Sequence, residues 1–228
     1  MSTLYIVATP IGNLGDISSR ALDVLRGVDT IVCEDTRHSK KLLMHYEISK
    51  PMHAFHAHSD NRDVQKLIGW LKEGKDLAYI SDAGTPGISD PGFMLTSACV
   101  KEGITIVPIP GASAFVTALM ASGLPINNFW YVGYLPAKKG RQKLFDQFHE
   151  RDSTIVFYES KYRLGKMIEG LLERMPDRII VVAKELTKMH ETFFRGTVAE
   201  LADYHKDNTA FSLGEFVVIL GPKDFSFE

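Results

Sequence analysis

Short apolar runs alternate with amphipathic stretches through the first half of the chain, and this alternation predicts its architecture. Leu4-Tyr5-Ile6-Val7-Ala8 is too short for a helix and apolar on both faces, as a buried parallel strand is. Helical spacing follows from Ser18 to Arg26, with Gly27 as its stop. Thr30-Ile31-Val32-Cys33 reads as the next strand and runs into Glu34-Asp35-Thr36-Arg37, after which a helix reaches about Tyr46. A further helix spans roughly Asn61 to Glu73, ended by Gly74, and Leu77-Ala78-Tyr79-Ile80 is a strand. A long Gly/Pro loop from Ser81 to Gly92 leads to a helix, to Gly103, to a strand from Ile104 to Val107 and to a helix from Ser113 to Ala121. Strands alternating with helices imply right-handed crossovers and a parallel sheet.

Ser122-Gly123-Leu124-Pro125 stops a helix and turns the chain, so it divides the sequence into an N-terminal α/β domain, 1–122, and a C-terminal α/β domain, 123–228. Beyond it, strands are expected near Trp130–Tyr134, Thr154–Tyr158, Ile179–Ala183, Glu191–Arg195 and Phe216–Leu220. Helices near Lys139–His149, Leu164–Arg174 and Val198–Lys206 separate only some of them, so the second sheet is expected to be mixed.

Composition narrows the class. Hydrophobic residues make up 45% and charged residues 24% of 228 positions, enough for a sizeable core without disulfides or metals. Cys33 and Cys99 follow no ligand spacing, and two cysteines suit a reduced compartment. The N-terminus lacks a basic signal region, and no apolar run approaches a membrane-spanning length, so a cytoplasmic protein is expected, with no membrane partner. A net charge of −2 argues against a general nucleic-acid coat; any RNA would be held by local basic patches or recognised within a larger particle.

Several motifs fail. Gly69, Gly74 and Lys75 match a phosphate loop by spacing, but Asp76 follows where Ser or Thr is needed. Gly12 and Gly15 are mis-spaced for a dinucleotide fingerprint, and neither a zincin histidine pair nor a GxSxG elbow occurs. His56 and His58 share a face of an extended segment, yet no third ligand is clearly suggested, so no metal site is expected.

Four irregular segments follow strands of the first half at their carboxyl ends, the edge where open α/β sheets bind ligands. They are Thr9-Pro10-Ile11-Gly12-Asn13-Leu14, Glu34-Asp35-Thr36-Arg37, Ser81 through Gly87 with Gly84 at its centre, and Pro110-Gly111-Ala112-Ser113-Ala114. Any one could be a plain turn with Asp35 as a helix cap. Together their small residues let backbone approach a flat ligand, and Asp82 can accept from an amine or a ribose hydroxyl.

These segments carry a resemblance. YIVATPIGNL at 5–14, EDTRH at 34–38 and SDAGTPGISDPG at 81–92 are similar to the small-subunit ribosomal RNA methyltransferase I family, of the tetrapyrrole methylase superfamily. The likeness continues through Gly133-Tyr134-Leu135-Pro136, Phe157-Tyr158-Glu159-Ser160, Lys184 through Lys188 and Arg195-Gly196-Thr197, and so covers nearly the whole chain. It implies an α/β fold of tetrapyrrole-methylase type, with a parallel-sheet domain, a mixed-sheet domain and S-adenosylmethionine in the cleft between them. It implies 2′-O-methylation of a cytidine in small ribosomal subunit RNA by a homodimer. By motif, Pro10, Ser81, Asp82, Gly84, Thr85, Ser113 and Ala114 would line the cofactor from the first domain, with Tyr158 and Gly196 from the second. Three segments depart from the pattern: Ala112 replaces a proline, His56-Ala57-His58-Ser59-Asp60 lacks the usual Asn, and Lys161-Tyr162 replaces Pro-His. The chain also stops short of a C-terminal helical extension that many relatives carry.

Methyl transfer needs in-line alignment and a proton acceptor for the ribose hydroxyl. Asp35 is the expected acceptor, with Glu159 second, while Arg37 and Lys184 orient a phosphate or steady the forming alkoxide. His56, His58, Lys138, Lys139, Arg141 and Arg163 are the expected RNA contacts, with Lys143 and the Arg37, Lys40, Lys41 group as further basic positions. Two rival functions remain: a methyltransferase for a tetrapyrrole precursor, and a non-catalytic module that binds cofactor or RNA.

Overall fold

The computed structural model describes residues 2–56, 59–90, 92–208, 211 and 213–227. The chain forms two compact units, Met1–Ser113 and Ala114–Glu228.

In the first unit the elements run β1 (Thr3–Val7), α1 (Ser19–Gly27), β2 (Thr30–Cys33), α2 (Thr36–His45), β3 (Met52–Ala54), α3 (Asn61–Lys72), β4 (Leu77–Ile80), α4 (Gly92–Lys101) and β5 (Thr105–Ile109). All five strands are parallel, in the order β3-β2-β4-β1-β5. The strand β4 shows why its sequence has no polar face. Leu77 and Tyr79 pack with Leu67 of α3 and Leu95 of α4, whereas Ala78 and Ile80 pack with Leu25 of α1 and Leu43 of α2. A sheet covered on both sides needs apolar residues at every central position. Edge strand β3 was not predicted: it is three residues long, carries His53, and exists because β2 offers it a free edge at Ile31 and Cys33.

The second unit opens with α5 (Ala114–Met120), followed by β6 (Phe129–Tyr134), α6 (Arg141–Glu150), β7 (Thr154–Ser160), α7 (Leu164–Leu172), β8 (Ile179–Lys184), β9 (Thr192–Thr197), α8 (Val198–Asp207) and β10 (Glu215–Leu220). Its sheet runs β6-β7-β10-β8-β9; β6 and β7 are parallel and every other pair is antiparallel. The mixed sheet matches the sequence reading. Phe145, Phe148, Phe157, Met167, Leu171 and Val218 form the centre of its core.

The division between units falls at Ser113/Ala114, earlier than the Ser122–Pro125 turn read from the sequence. Helix α5 packs on β7 and β10 and so belongs to the second unit. The expected turn is real but internal: Leu124 N donates to Ser122 Oγ at 3.1 Å, and Arg195 of β9 donates to the carbonyls of Ala121 and Ser122. Among the described residues, no helix is long and apolar enough to cross a membrane.

Candidate active site on the carboxyl edge of the first sheet

The strand order sets β2, β4, β1 and β5 side by side, so the four loops at their carboxyl ends line one edge. Backbone bonds lock the loops together. Thr9 and Gly84 exchange two hydrogen bonds, Thr9 N to Gly84 O at 2.9 Å and Gly84 N to Thr9 O at 3.1 Å. The buried Thr9 hydroxyl donates to Ser81 O at 3.2 Å, and Ser81 Oγ donates back to Gly84 O at 3.3 Å. Thr85 Oγ1 donates to Ala112 O at 3.0 Å, joining the β4 loop to the β5 loop. Gly84 holds φ +84°, where a side chain is strained. At Gly111 a Cβ would stand 2.9 Å from Ala8 Cβ, so only glycine allows this loop to lie against β1.

The β2 loop joins the same edge through Asp82, whose Oδ1 accepts the backbone N–H of Asp35 at 3.1 Å. Asp35 is the N-cap of α2: its Oδ1 accepts from Arg37 N at 2.8 Å, and Arg37 Nη2 donates to Oδ2 at 2.8 Å. The side-chain bond from Arg37 holds the Asp35 carboxyl well below the usual carboxylate range, with the Arg37 backbone bond next in weight. A carboxylate so held is a weaker proton acceptor than a free one. Glu34 has the opposite setting. It is half-buried, and burial first, then Asp82 and Asp90, pushes its carboxyl above the ordinary value, against a smaller opposing pull from His56. His56, expected at the substrate, thus lies within electrostatic reach of Glu34; its N–H donates to Ser59 Oγ at 3.1 Å. His58 lies outside the described residues.

Asp90 was quoted in the motif without a role. Its Oδ2 accepts from Gly87 N and its Oδ1 from Gly92 N, both at 2.7 Å, so it closes the loop and starts α4. An acid two residues before a helix start is a capping signal that could have identified it. Pro10, Ser81, Asp82, Gly84 and Thr85 all stand in the four-loop edge. Ser113 ends the first unit and Ala114 begins α5.

In the second unit, three expected site residues meet in one ion-pair cluster. Glu159 is 2% exposed, its Oε2 takes Arg141 Nη2 at 2.6 Å, and its Oε1 takes Arg163 Nε at 3.0 Å and Ser160 N at 2.7 Å. Arg141 is correspondingly buried and also donates to Pro136 O, and Arg163 donates to Leu135 O. Both guanidiniums are therefore fixed in place by the protein itself. Lys138 and Lys139 are exposed, as are Arg37, Lys40 and Lys41 on α2. Lys184 lies at the end of β8 with Nζ 5.5 Å from the Phe211 ring centroid. Tyr158 sits in β7 with its ring 5.8 Å from Tyr131 and 5.2 Å from Tyr134, and burial pushes its hydroxyl far above the ordinary tyrosine value. Gly196 leaves room for the α8 capping box, since a Cβ there would stand 2.6 Å from Glu200 Oε2.

Among the described residues no three His, Cys, Asp or Glu side chains gather as a metal site. The edge does suit an adenosyl sulfonium ligand. Asp82 is half-buried, and its Oδ2 makes no hydrogen bond among the described residues, which leaves an acceptor for a hydroxyl or ammonium. Ser81, Ala83 and Gly84 are the small residues beside it.

The parallel sheet with its loop edge, followed by a mixed sheet, defines the class, and the family model for Tetrapyrrole (Corrin/Porphyrin) Methylases matches residues 3–202. Solved structures share this fold. A uroporphyrin-III-C-methyltransferase from Thermus thermophilus superposes with TM-score 0.66 at 20% identity, covering 97% of this chain and 94% of that one. A cobalt precorrin-4 methyltransferase superposes with TM-score 0.70 at 19% identity, covering 96% and 94%. Sequence relatives are nearer. Ribosomal RNA small subunit methyltransferase I of Halalkalibacterium halodurans is 44% identical over 96% of this chain and 75% of its own. Its counterpart in Thermotoga maritima is 42% identical over 98% of this chain and 100% of its own. Within the tetrapyrrole methylases, the chain belongs to the ribosomal RNA small subunit methyltransferase I family.

Proposed function

We propose that this chain transfers the methyl group of S-adenosylmethionine to the 2′-hydroxyl of a cytidine in small-subunit (16S) ribosomal RNA, as a cytoplasmic homodimer. The observation that carries the reading is the 44% identity, over 96% of the chain, to a protein named for methylation of this RNA. The tetrapyrrole enzymes share the fold at 20% identity or less, so they support the class and not the substrate.

Bound at the loop edge, S-adenosylmethionine supplies an electrophilic methyl group and needs no metal to do so. The chain's own work is placement and proton removal. Locking the loops through Thr9, Gly84 and Thr85 fixes the backbone against which the ligand lies, and positioning of this kind can supply roughly 7–11 kcal/mol of a barrier. Asp82 Oδ2 accepts from the ligand. Glu34, with its raised carboxyl, takes the proton of the ribose hydroxyl in place of Asp35. Arg37, exposed on the same edge and aligned by Asp35, orients a phosphate. In this reading Tyr158 and Gly196 keep the cofactor contacts that the resemblance implies, and Lys184 steadies the forming alkoxide.

The test is incubation with methyl-labelled S-adenosylmethionine and small ribosomal subunits from a strain lacking the enzyme, followed by mass spectrometry of nucleosides. Label in 2′-O-methylcytidine is the expected result. Cofactor binding without label in subunits or naked RNA would transfer the reading to a small-molecule acceptor.

A further inference from the structure

The second unit holds a cavity that none of these steps uses. Its volume is about 530 Å³, inside the roughly 300–1,000 Å³ range of small-ligand sites. Lys138 and Arg141 line it from the start of α6, Tyr162 and Arg163 from the turn after β7, and Lys166 from α7, with Glu169 and Glu173 further along that helix.

The floor of the cavity is built. Arg141 and Arg163 share the single carboxylate of Glu159, so two guanidiniums face one counter-charge and the floor keeps an excess of positive charge. Neither arginine can swing away, because each is also bonded to a carbonyl of the β6–α6 loop, Pro136 and Leu135. The rim adds Lys138 and Lys166, both exposed, and neither forms an ion pair among the described residues. Of the two acids in the lining, Glu173 is engaged by Arg174 at 3.2 Å, and with Glu169 counted the cations Lys138, Arg141, Arg163 and Lys166 still outnumber the carboxylates. Tyr162 stands at the mouth, 83% exposed, on a turn pinned by the bond from Arg163 N to Ser160 O at 2.9 Å. Lys161 Nζ lies 5.0 Å from the Tyr162 ring centroid and leaves the ring largely exposed. An exposed ring on a fixed turn, beside a lining richer in cations than in carboxylates, answers to two features of one ligand, a flat base and its flanking phosphates.

From this geometry we infer that the cavity captures one unpaired nucleotide of an RNA strand, its base on Tyr162 and its phosphates on Lys138 and Lys166, with Arg141 and Arg163 as a fixed floor. This rests on RNA being the substrate and names where the strand is gripped away from the reacting ribose. It also gives a chain of net charge −2 a local means of holding RNA.

The experiment measures binding of a short fluorescein-labelled single-stranded oligoribonucleotide to the full chain by anisotropy, across a salt series. Tyr162→Ala is expected to weaken binding about 5- to 150-fold through the absence of stacking. Lys138→Glu with Lys166→Glu is expected to flatten the plot of log affinity against log salt by about 0.7 for each phosphate that is no longer neutralised. The control pair Lys101→Glu with Lys223→Glu alters net charge equally and should leave the slope near that of the unaltered chain. A polyglutamate peptide should fail to displace the RNA. Unchanged affinity and slope in the cavity variants overturn the inference, as does displacement by polyglutamate or absence of oligonucleotide binding by the unaltered chain. Methylation is scored separately: cavity-dependent RNA binding without methyl transfer would sink the proposed function and leave the grip standing. Methyl transfer with cavity-independent binding would do the reverse.

Discussion

Asp82 Oδ1 accepts the backbone N–H of Asp35 at 3.1 Å, so the loop after β4 holds the loop after β2 by a carboxylate whose second oxygen is left for a ligand. One side chain thereby serves both the loop geometry and the proposed cofactor contact, and two substitutions separate these roles. Asp82→Asn keeps an acceptor for Asp35 N and removes the charge; Asp82→Ala removes both. Losing a hydrogen bond to a charged group costs about 1.5–3 kcal/mol, so Asp82→Ala should weaken S-adenosylmethionine binding by about 10- to 150-fold in calorimetry, and Asp82→Asn by less. Equal affinity in all three proteins would remove Asp82 from the cofactor site.

Glu34 and Asp35 are adjacent in sequence and opposite in electrostatic setting. If Glu34 takes the proton, Glu34→Gln should lower the single-turnover rate by about 10²–10⁴-fold. Asp35→Asn, which can still cap α2, should change it little. Rate should fall with decreasing pH through a value above the ordinary glutamate range. The reverse ranking of the two variants would restore Asp35 as the acceptor.

The same raised carboxyl has a consequence for stability. A folded-state value above the unfolded one means that the native protein binds the proton more tightly, so stability is full at low pH and declines as pH rises from the unfolded value through the folded one. Glu34→Gln removes that decline. Thermal melts from pH 4 to pH 8, on the order of the window this shift sets, should show the variant gaining on the parent as pH rises. A constant difference across the series would rule out Glu34 as the source.

Glu159 pairs with two guanidiniums inside the second unit. Breaking a buried pair by removing one partner costs about 3–5 kcal/mol, so Glu159→Gln should lower urea stability on that scale. A loss of methyl transfer at unaltered stability would instead return Glu159 to catalysis.

Gly111 lies where a Cβ would meet Ala8 Cβ at 2.9 Å. Overpacking costs about 1–3 kcal/mol, so Gly111→Ala should lower the melting temperature, and adding Ala8→Gly should recover part of the loss. No recovery in the double variant would place the strain elsewhere.

Much of this was legible in the sequence because the rules involved are local. The run Leu77–Ile80 is apolar at every position, which only a sheet covered on both faces explains, and α3 and α4 on one side with α1 and α2 on the other supply that cover. Ser18, Asp35 and Thr197 announce helix starts through caps that act within three residues. Three of the four loops were also readable because Gly and Pro at strand ends turn the chain wherever it goes, and the fourth, Glu34 to Arg37, through the cap at Asp35.

What only the tertiary structure decided involves groups that meet from distant positions. Helix α5 looked like the close of the first domain by order along the chain, but its apolar face packs on β7 and β10. That Glu159 is covered by Arg141, 18 positions away, follows only from the fold. Glu34 and Asp35 carry the same carboxylate chemistry. Asp35 is depressed locally, by its cap and by Arg37 two residues on, whereas Glu34 is raised only by burial beside Asp82 and Asp90, which folding brings from other loops. Periodicity and capping follow from covalent neighbours and so are written in the chain; a carboxylate's acidity follows from what folding brings beside it.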